Sequence, residues 1–336
     1  MIDRARRVKS IAKIVVIVLN FNGKHFLDAC LSALRAQTFD DFQTVLVDNA
    51  SKDGSVEWVR AQYPGVRIIR LSDNLGFCGG NNRGIEATEG EYVALLNSDT
   101  EVVPEWLQAL VQVLDSTPEV GFCASRMIRM FDRYTIDTAG DVFYTHGVGG
   151  KRGEGQSMNF YTALGPVFGA CAGAAIYRRS MLMDIGLLDE DFFAYDEDID
   201  LSFRAQLRGY RCQYVPEAIV YHHVGGSFRG TSTASIRRIR RNTLEVLLKN
   251  MPSALLLKHG IRILAYYIAA DLYNILRGHM FATLGARWEN LKRLLRTMNK
   301  RSYIQSRRTV SLDQLEDIFT PMSVNKMIHM FQRRLR

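Results

Sequence analysis

The sequence has few cysteines and no cysteine pattern. Its five cysteines are scattered along 336 residues, and no two of them form a C-x-x-C pair. This argues against a disulfide framework or structural zinc and favours a reducing compartment. A chain of this length, with 47% hydrophobic residues, can bury an ordinary core instead.

Long hydrophobic runs are also missing. In the most apolar segment, residues 261–276, the longest uncharged run extends only from Ile263 to Ala270. That is far short of the ~20 residues that cross a bilayer. The basic start of the chain is followed by no apolar region. We therefore predict neither a transmembrane helix nor a signal peptide.

Two common nucleotide-binding motifs are absent as well. The first predicted strand is followed by "NFNGKHF" (20–26), which does not match the G-x-G-x-x-G fingerprint, and no Walker A pattern occurs. A dehydrogenase and a P-loop enzyme are therefore disfavoured. A nucleotidyltransferase stays open as an alternative, although it would need a basic, Gly-rich phosphate loop where the segment offers only Lys24.

Charge is distributed unevenly along the chain. Residues 1–13 carry net +4, residues 14–230 carry net −10, and residues 231–336 carry net +14. An acidic middle suits a cation site, and basic ends suit an anionic surface. Because the middle is acidic and no aromatic-basic RNA motif occurs, we do not expect nucleic acid as a partner.

Residues 13–124 alternate between β-branched runs and helical spacing of apolar residues. This pattern predicts an α/β fold with a Rossmann-like, mostly parallel, doubly wound sheet. The predicted strands are 13–19, 42–48, 66–71 and 92–97, and the predicted helices are 24–37, 55–63, 79–88 and 104–116. Further along we predict a Gly-rich loop at 147–155, a helix at 197–209, a strand at 210–215 and a largely helical region from 233 onwards.

Ligands bind such sheets at the carboxyl ends of the strands. Four loops at that edge are rich in Asn, Asp, Ser and Gly, namely 20–23, 48–55, 72–82 and 97–100. Any one of them could be ordinary turn chemistry. Four in succession on one edge indicate a site.

Three groups of residues could carry chemistry there. Asp99 ends a predicted buried strand, where a carboxylate suits a hard divalent cation unless it only caps the next helix. The segment "AYDEDIDLSFR" (194–204) places four carboxylates within five residues, and their repulsion raises the pKa of a candidate general base. His222 and His223 precede glycines and offer a further metal ligand.

Together these segments resemble glycosyltransferase family 2, the inverting enzymes with the GT-A fold, and in particular its bacterial rhamnosyltransferase-like branch. The resemblance covers about residues 13–230. It rests on six segments in the family's order: "VIVLNFNG", "VLVDNASKDGS", "NLGFCGGNNRG", "LLNSDTEV", "GLLDEDFFAYDEDIDLSFR" and "VYHHVGGS".

The resemblance implies a role for each candidate residue. Asp198 would be the catalytic base with Glu197 as its neighbour, and Asp99 with His222 would bind Mg²⁺ or Mn²⁺. Asn97 stands where many members have the first acid of a D-x-D motif. The residues implied to frame the donor nucleotide are Asn20, Phe21, Asp48, Asn49, Asn74, Gly76, Asn82 and Asn97.

The resemblance also implies partners. The donor would be a dTDP- or UDP-linked sugar, with rhamnose as the sugar of the branch. The acceptor would be a lipid-linked glycan in bacterial surface polysaccharide synthesis, at the cytoplasmic face of the plasma membrane. A non-catalytic nucleotide-sugar-binding scaffold is the other alternative, which the joint presence of Asp99, Asp198 and His222 disfavours.

We divide the chain into a basic arm (1–12), a GT-A domain (13–230) and a basic helical region (231–336). The helical region would associate peripherally with an anionic membrane surface, because Tyr266 and Tyr267 and a basic stretch suit a lipid interface. It could also pack on its own core or form a homodimer.

Overall fold

The computed structural model describes residues 11–225 and 232–321. Within these residues the chain forms twelve β-strands: β1 (Ile14–Asn20), β2 (Phe42–Asp48), β3 (Arg67–Arg70), β4 (Tyr92–Asn97), β5 (Thr100–Val102), β6 (Val120–Arg129), β7 (Ile136–Thr138), β8 (Asp141–Tyr144), β9 (Val148–Lys151), β10 (Gly165–Val167), β11 (Ala174–Arg178) and β12 (Arg211–His222). The same residues form ten α-helices: α1 (Lys24–Arg35), α2 (Ser55–Gln62), α3 (Gly76–Glu86), α4 (Trp106–Ser116), α5 (Arg179–Ile185), α6 (Glu197–Leu207), α7 (Thr233–Asn250), α8 (Ser253–Leu276), α9 (Met280–Ser306) and α10 (Leu312–Asp317). The predicted basic arm lies outside the described residues except for its last two positions.

Ten strands of the described part form one sheet. Its order is β10-β12-β6-β11-β4-β1-β2-β3, with β5 paired to β12 and β7 paired to β6. Strands β3, β2, β1 and β4 are parallel, and β6 and β12 point the same way. β10 and β11 run in the opposite direction. The sheet is mixed and mostly parallel, which confirms the predicted α/β class with a helical C-terminal extension.

The first strand is buried on both faces. Val15 and Ile17 belong to one hydrophobic cluster, and Val16 and Val18 belong to the other. A continuous β-branched run suits this position because helices cover both sides of the sheet. β1, β2 and β4 end side by side, so the loops that follow them meet at one edge.

Two predicted elements differ from the structure. The segment 147–155 contains β9, which pairs with β8, so the prediction of a loop was wrong for Val148–Lys151. Glycine serves packing here, because a Cβ on Gly149 would lie 2.6 Å from Ile199 of α6. β12 also continues beyond residue 215, because it pairs with β6 and β5 as far as His222.

The C-terminal helices are joined to the acidic middle of the chain by ion pairs. Nζ of Lys249 in α7 lies 2.6 Å from Asp189 and 2.7 Å from Asp200. Lys300 of α9 contacts both Asp189 and Asp191 at 2.6 Å. Part of the +14 charge is thus neutralised inside the protein. The predicted boundary at residue 230 falls outside the described residues and stays a prediction.

None of the described helices is both long enough and apolar enough to cross a bilayer.

We expect Lys249→Met to lower the free energy of unfolding by about 3 kcal/mol, because it removes a buried cation from two buried carboxylates. Urea unfolding measures the change. The control is Lys258→Met, whose side chain is 60% exposed in its pair with Glu316 and should cost at most about 1 kcal/mol. Equal losses in the two variants would contradict a docked C-terminal region.

Candidate active site

Asp99 and His222 meet although they are far apart in the sequence. Asp99 lies in the turn between β4 and β5, and His222 ends β12. β5 pairs with β12 so that Thr100 lies opposite His222. The N–H of His223 donates to the carbonyl of Asp99 at 2.9 Å. Nε2 of His222 therefore lies 3.6 Å from Oδ1 of Asp99. The structure brings the two predicted metal ligands together.

The other ring nitrogen of His222 is held by Asp137. Nδ1 lies 2.9 Å from Oδ2 of Asp137, and Nζ of Lys151 donates to Oδ1 of Asp137 at 2.6 Å. Burial works to raise the pKa of Asp137, but the His222 hydrogen bond and the Lys151 charge outweigh it, so this pKa lies below its ordinary value. The carboxylate of Asp137 accepts a hydrogen bond from Nδ1, and Nε2 faces Asp99.

Asp99 and His222 fit a divalent cation whose coordination shell is completed by a bound ligand. Two atoms that each lie about 2.1 Å from one ion are roughly 3–4 Å apart, and Asp99 and His222 meet that condition. In residues 11–225 and 232–321, no group of three His, Cys, Asp or Glu side chains could hold an ion. Mg²⁺ usually takes one or two protein ligands and fills its shell with phosphate oxygens and water.

Glu197 and Asp198 open α6 side by side in different surroundings. Glu197 is 7% exposed, and its Oε2 has no hydrogen-bond partner in the described part of the chain. Burial raises the pKa of Glu197 far above its ordinary value, and the charge of Asp198 adds to the shift. The Glu197 carboxyl is therefore a weaker acid than an ordinary glutamate side chain.

Asp198 is half-buried, and its Oδ1 accepts the N–H of Ile199 at 2.8 Å. Burial raises the pKa of Asp198, while hydrogen bonds from the backbone of Ile199 and Ala172 and the charge of Lys151 moderate the shift. Asp198, whose charged form is favoured by Lys151 and by two backbone N–H groups, stays the predicted base.

Lys151 connects the two halves of the site. Its positive charge lowers the pKa of Asp137 and opposes the rise in the pKa of Asp198. Asp137 in turn holds His222, which faces Asp99. The predicted base and the predicted metal ligands therefore belong to one region of the protein.

The loop that leads into α6 has an unusual backbone. Phe193, Tyr195 and Asp196 have φ angles of 65°, 73° and 64°, in the left-handed region that residues with a Cβ seldom adopt. Asn242 of α7 is fully buried and donates to the carbonyls of Ala194 at 2.9 Å and Tyr195 at 2.7 Å. The C-terminal region therefore stabilises the loop that presents the predicted base.

The same loop touches Gly76, one of the predicted donor-binding residues, and Gly76 in turn contacts two others, Asn49 and Asn74. Gly76 has a φ of +73°, and a Cβ there would lie 2.4 Å from the carbonyl oxygen of Phe193. The amide of Asn49 donates to the side-chain oxygen of Asn74 and to the carbonyl of Gly76, both at 2.9 Å. These contacts tie the donor-side loop to the loop of the base.

Asn20 and Asp48 are hydrogen-bonded to each other at the ends of β1 and β2. Both side chains are fully buried. The amide of Asn20 donates to Asp48 at 3.1 Å and to the hydroxyls of Ser51 and Ser55 at 3.0 and 2.9 Å. The two residues fix the ends of β1 and β2, and their contact with a nucleotide stays a prediction.

The remaining donor-site candidates differ in accessibility. The amide of Asn82 is buried and donates to the carbonyl of Leu188 at 2.8 Å. The carbonyl of Asn97 accepts the hydroxyl of Thr100 at 2.6 Å, which fixes the turn that carries Asp99. Phe21 is 45% exposed and is the most accessible of the three to a ligand.

Sequence reasoning missed Asp137, Asp141 and Lys151. Asp141 is buried, which raises its pKa, and the nearby charge of Asp198 raises it further. The three residues lie on β7, β8 and β9, in the irregular middle of the chain where no periodic pattern indicated strands. Isolated aspartates and a lysine beside glycines form no sequence motif, so nothing in the sequence distinguished these three residues.

The chain belongs to glycosyl transferase family 2, whose sequence profile matches residues 15–186. Among curated relatives, N-acetylglucosaminyl-diphospho-decaprenol L-rhamnosyltransferase of Mycobacterium tuberculosis is 28% identical, over 62% of this chain and 75% of that protein. An uncharacterized protein of Sinorhizobium fredii is 27% identical over 67% of this chain, which spans only 26% of that relative.

Solved structures of glycosyltransferases share the fold. GalNAc-T7 with UDP, GalNAc and Mn²⁺ superposes with a TM-score of 0.58 at 14% identity, over 81% of this chain and 58% of that one. A mannosyltransferase of Pyrobaculum calidifontis with GDP-Man and Mn²⁺ gives 0.53 at 18% identity, over 92% and 88%. These likenesses confirm the predicted GT-A fold.

We expect Asn242→Ala to lower kcat for donor turnover by roughly 10–100-fold, because the loop before the predicted base loses its anchor. The donor-side KM should change little. The control is Asn290→Ala, a buried amide that donates to the carbonyl of Arg241 at 2.9 Å. Steady-state kinetics, with thermal unfolding in parallel, separate the effects. A normal kcat in Asn242→Ala would refute the anchoring role.

Proposed function

We propose that this protein is a metal-dependent inverting glycosyltransferase that moves a sugar from a pyrimidine nucleoside diphosphate sugar to a hydroxyl of an acceptor. One observation carries the proposal: His222 lies 3.6 Å from Asp99 and 2.9 Å from Asp137, in the region that also contains Asp198. Membership of the family supplies the class of reaction.

Asp99 and His222 would hold Mg²⁺ or Mn²⁺ beside the diphosphate of the donor. A divalent cation bound there offsets the negative charge that develops on the departing diphosphate. Asp137 keeps the ring of His222 oriented with Nε2 toward Asp99. The UDP and Mn²⁺ in the GalNAc-T7 structure support a similar pairing in this chain.

Asp198 would act on the acceptor from the opposite side of the sugar. It takes the proton of the acceptor hydroxyl as the oxygen forms a bond to the anomeric carbon. The bond from that carbon to the diphosphate oxygen breaks in the same step, and the nucleoside diphosphate leaves with the electron pair of that bond. The configuration inverts, and no sugar becomes attached to the protein. Glu197, whose pKa burial raises far above its ordinary value, would not be the base.

We further propose a lipid-linked glycan as the acceptor and dTDP-rhamnose as the donor, with UDP-sugars as the alternative donors. Support comes from the relative of M. tuberculosis, whose name specifies a decaprenol-linked substrate and rhamnose for that protein. The reaction would belong to bacterial surface polysaccharide synthesis at the cytoplasmic face of the plasma membrane.

We expect Asp198→Asn to reduce donor turnover by about 10²–10⁴-fold, because the hydroxyl loses its proton acceptor. Glu197→Gln is the matched control and should retain turnover within about tenfold, because the amide replaces an acid whose pKa burial raises and which is not the proposed base. The measurement is release of nucleoside diphosphate from dTDP-rhamnose and UDP-sugars with Mn²⁺. If Glu197→Gln lost activity and Asp198→Asn kept it, the base would be assigned to the wrong acid.

The same assay distinguishes the proposed glycosyltransferase from a nucleotidyltransferase. Asp99→Ala should abolish the release of nucleoside diphosphate. A nucleotidyltransferase would instead release diphosphate from a nucleoside triphosphate and a sugar phosphate. If the protein catalysed that second reaction and left nucleotide sugars intact, the proposed function would be wrong.

A further inference from the structure

The sides of α8 and α9 that face away from the protein body carry large apolar residues. On each helix these residues recur every three or four positions, which places them on one stripe. We call them the outer apolar face, and each is more than 50% exposed: Ile261, Leu264, Ile268, Leu272 and Leu276 of α8, and Phe281, Leu284, Trp288, Leu291 and Leu295 of α9. Monomeric proteins seldom expose this much contiguous apolar surface without a partner.

The acids of the two helices are turned away from this face. Ser253–Ser306 contains two acidic residues, Asp271 and Glu289. Asp271 pairs with Arg240 and Arg287, and Glu289 pairs with arginines of α7. Neither acid is exposed. Both acids of these helices are therefore compensated by arginines, and their side chains are only 23% and 25% exposed.

Cations border the outer apolar face. Five basic side chains of these helices and their connection are exposed: Lys258, Arg262, Arg277, Lys292 and Arg296. Lys258 pairs with Glu316 and Arg296 pairs with Asp191. In the described part of the chain Arg262, Arg277 and Lys292 make no ion pair, and Nζ of Lys292 lies 5.2 Å from the ring centre of Trp288. The face thus combines apolar stripes with an uncompensated positive border.

A second copy of the chain fits this face poorly. The α9 stripe has the 3-4 spacing of a coiled-coil seam, and such seams pair through opposite charges at the flanking positions. The flanking positions here hold uncharged residues, Lys292, and Arg287, whose charge is already paired with Asp271. A second copy would offer no flanking acid to pair with Lys292. An anionic lipid surface accepts both the apolar stripes and the positive border.

We propose that the outer apolar face docks on the surface of a bilayer that carries anionic headgroups. α8 and α9 then lie in the plane of the interface, with their apolar stripes among the acyl chains. Trp288 sits at headgroup depth, where its amphipathic ring is favoured. The bordering cations contact the lipid phosphates. This inference goes beyond the proposed reaction, because vesicle binding needs neither donor nor acceptor.

The test is flotation of the full chain with vesicles of phosphatidylcholine alone or mixed with phosphatidylglycerol. We expect binding to the mixed vesicles and weak binding to the neutral ones. Leu291→Gln with Leu295→Gln should reduce the bound fraction at least about tenfold, because two apolar side chains no longer enter the interface. Neutralising Arg277 and Lys292 with Gln should reduce affinity about fivefold for each charge.

The control is Met183→Gln, which changes a side chain of α5 that is 58% exposed and should leave binding unchanged. All variants alter exposed positions, and circular dichroism checks that they fold. If the wild type does not float with anionic vesicles, the inference is wrong. If it instead sediments as a dimer that Leu291→Gln with Leu295→Gln dissociates, the face is an interface between copies. Donor turnover in solution is measured separately, so its loss tests the reaction and not the docking.

Discussion

The antiparallel pairing of β5 with β12 is the contact on which the candidate site depends. It sets Thr100 opposite His222, and so brings a carboxylate from the end of β4 to an imidazole from the last strand of the sheet. Neither residue alone specifies a cation site. Together, with Asp137 behind the imidazole, they place two candidate ligands next to each other, one at the end of a strand and one in the adjoining turn. A strand register fixes such positions better than a flexible loop can, because a shift of one residue would turn His222 to the other face of the sheet.

The four neighbouring acids at the start of α6 differ in their contacts. Asp196 accepts the hydroxyl of Thr243, and Asp200 is paired with Arg204 and Lys249. Burial raises the pKa of Glu197. Lys151 acts on the charge of Asp198 and on that of Asp137, which contacts the predicted metal ligand His222. Repulsion among the acids and the left-handed backbone before them are both unfavourable, and α7 offsets them through Lys249 and Asn242. The C-terminal helices therefore support the site while their other side faces solvent.

The sequence predicted the parts of the fold that follow from periodicity and local chemistry. The β-branched run of β1 and the polar strand ends could be read directly, and the resemblance correctly identified the GT-A fold. The pattern could not reveal β9, because its glycines resemble a loop and serve to admit Ile199. Asp137 and Lys151 were missed because their function arises from contacts between distant strands. The buried amides of Asn20 and Asn49 have the residue type of a binding site, yet in this structure they brace loops.

The most direct measurement of the central claim is the electron spin echo envelope modulation of Mn²⁺ bound to the protein together with UDP. The account predicts nitrogen modulation from a coordinated imidazole in the wild type and in His223→Gln, and its loss in His222→Gln. Modulation that persists in His222→Gln, or a wild-type spectrum without any nitrogen coupling, would contradict a metal site built from Asp99 and His222.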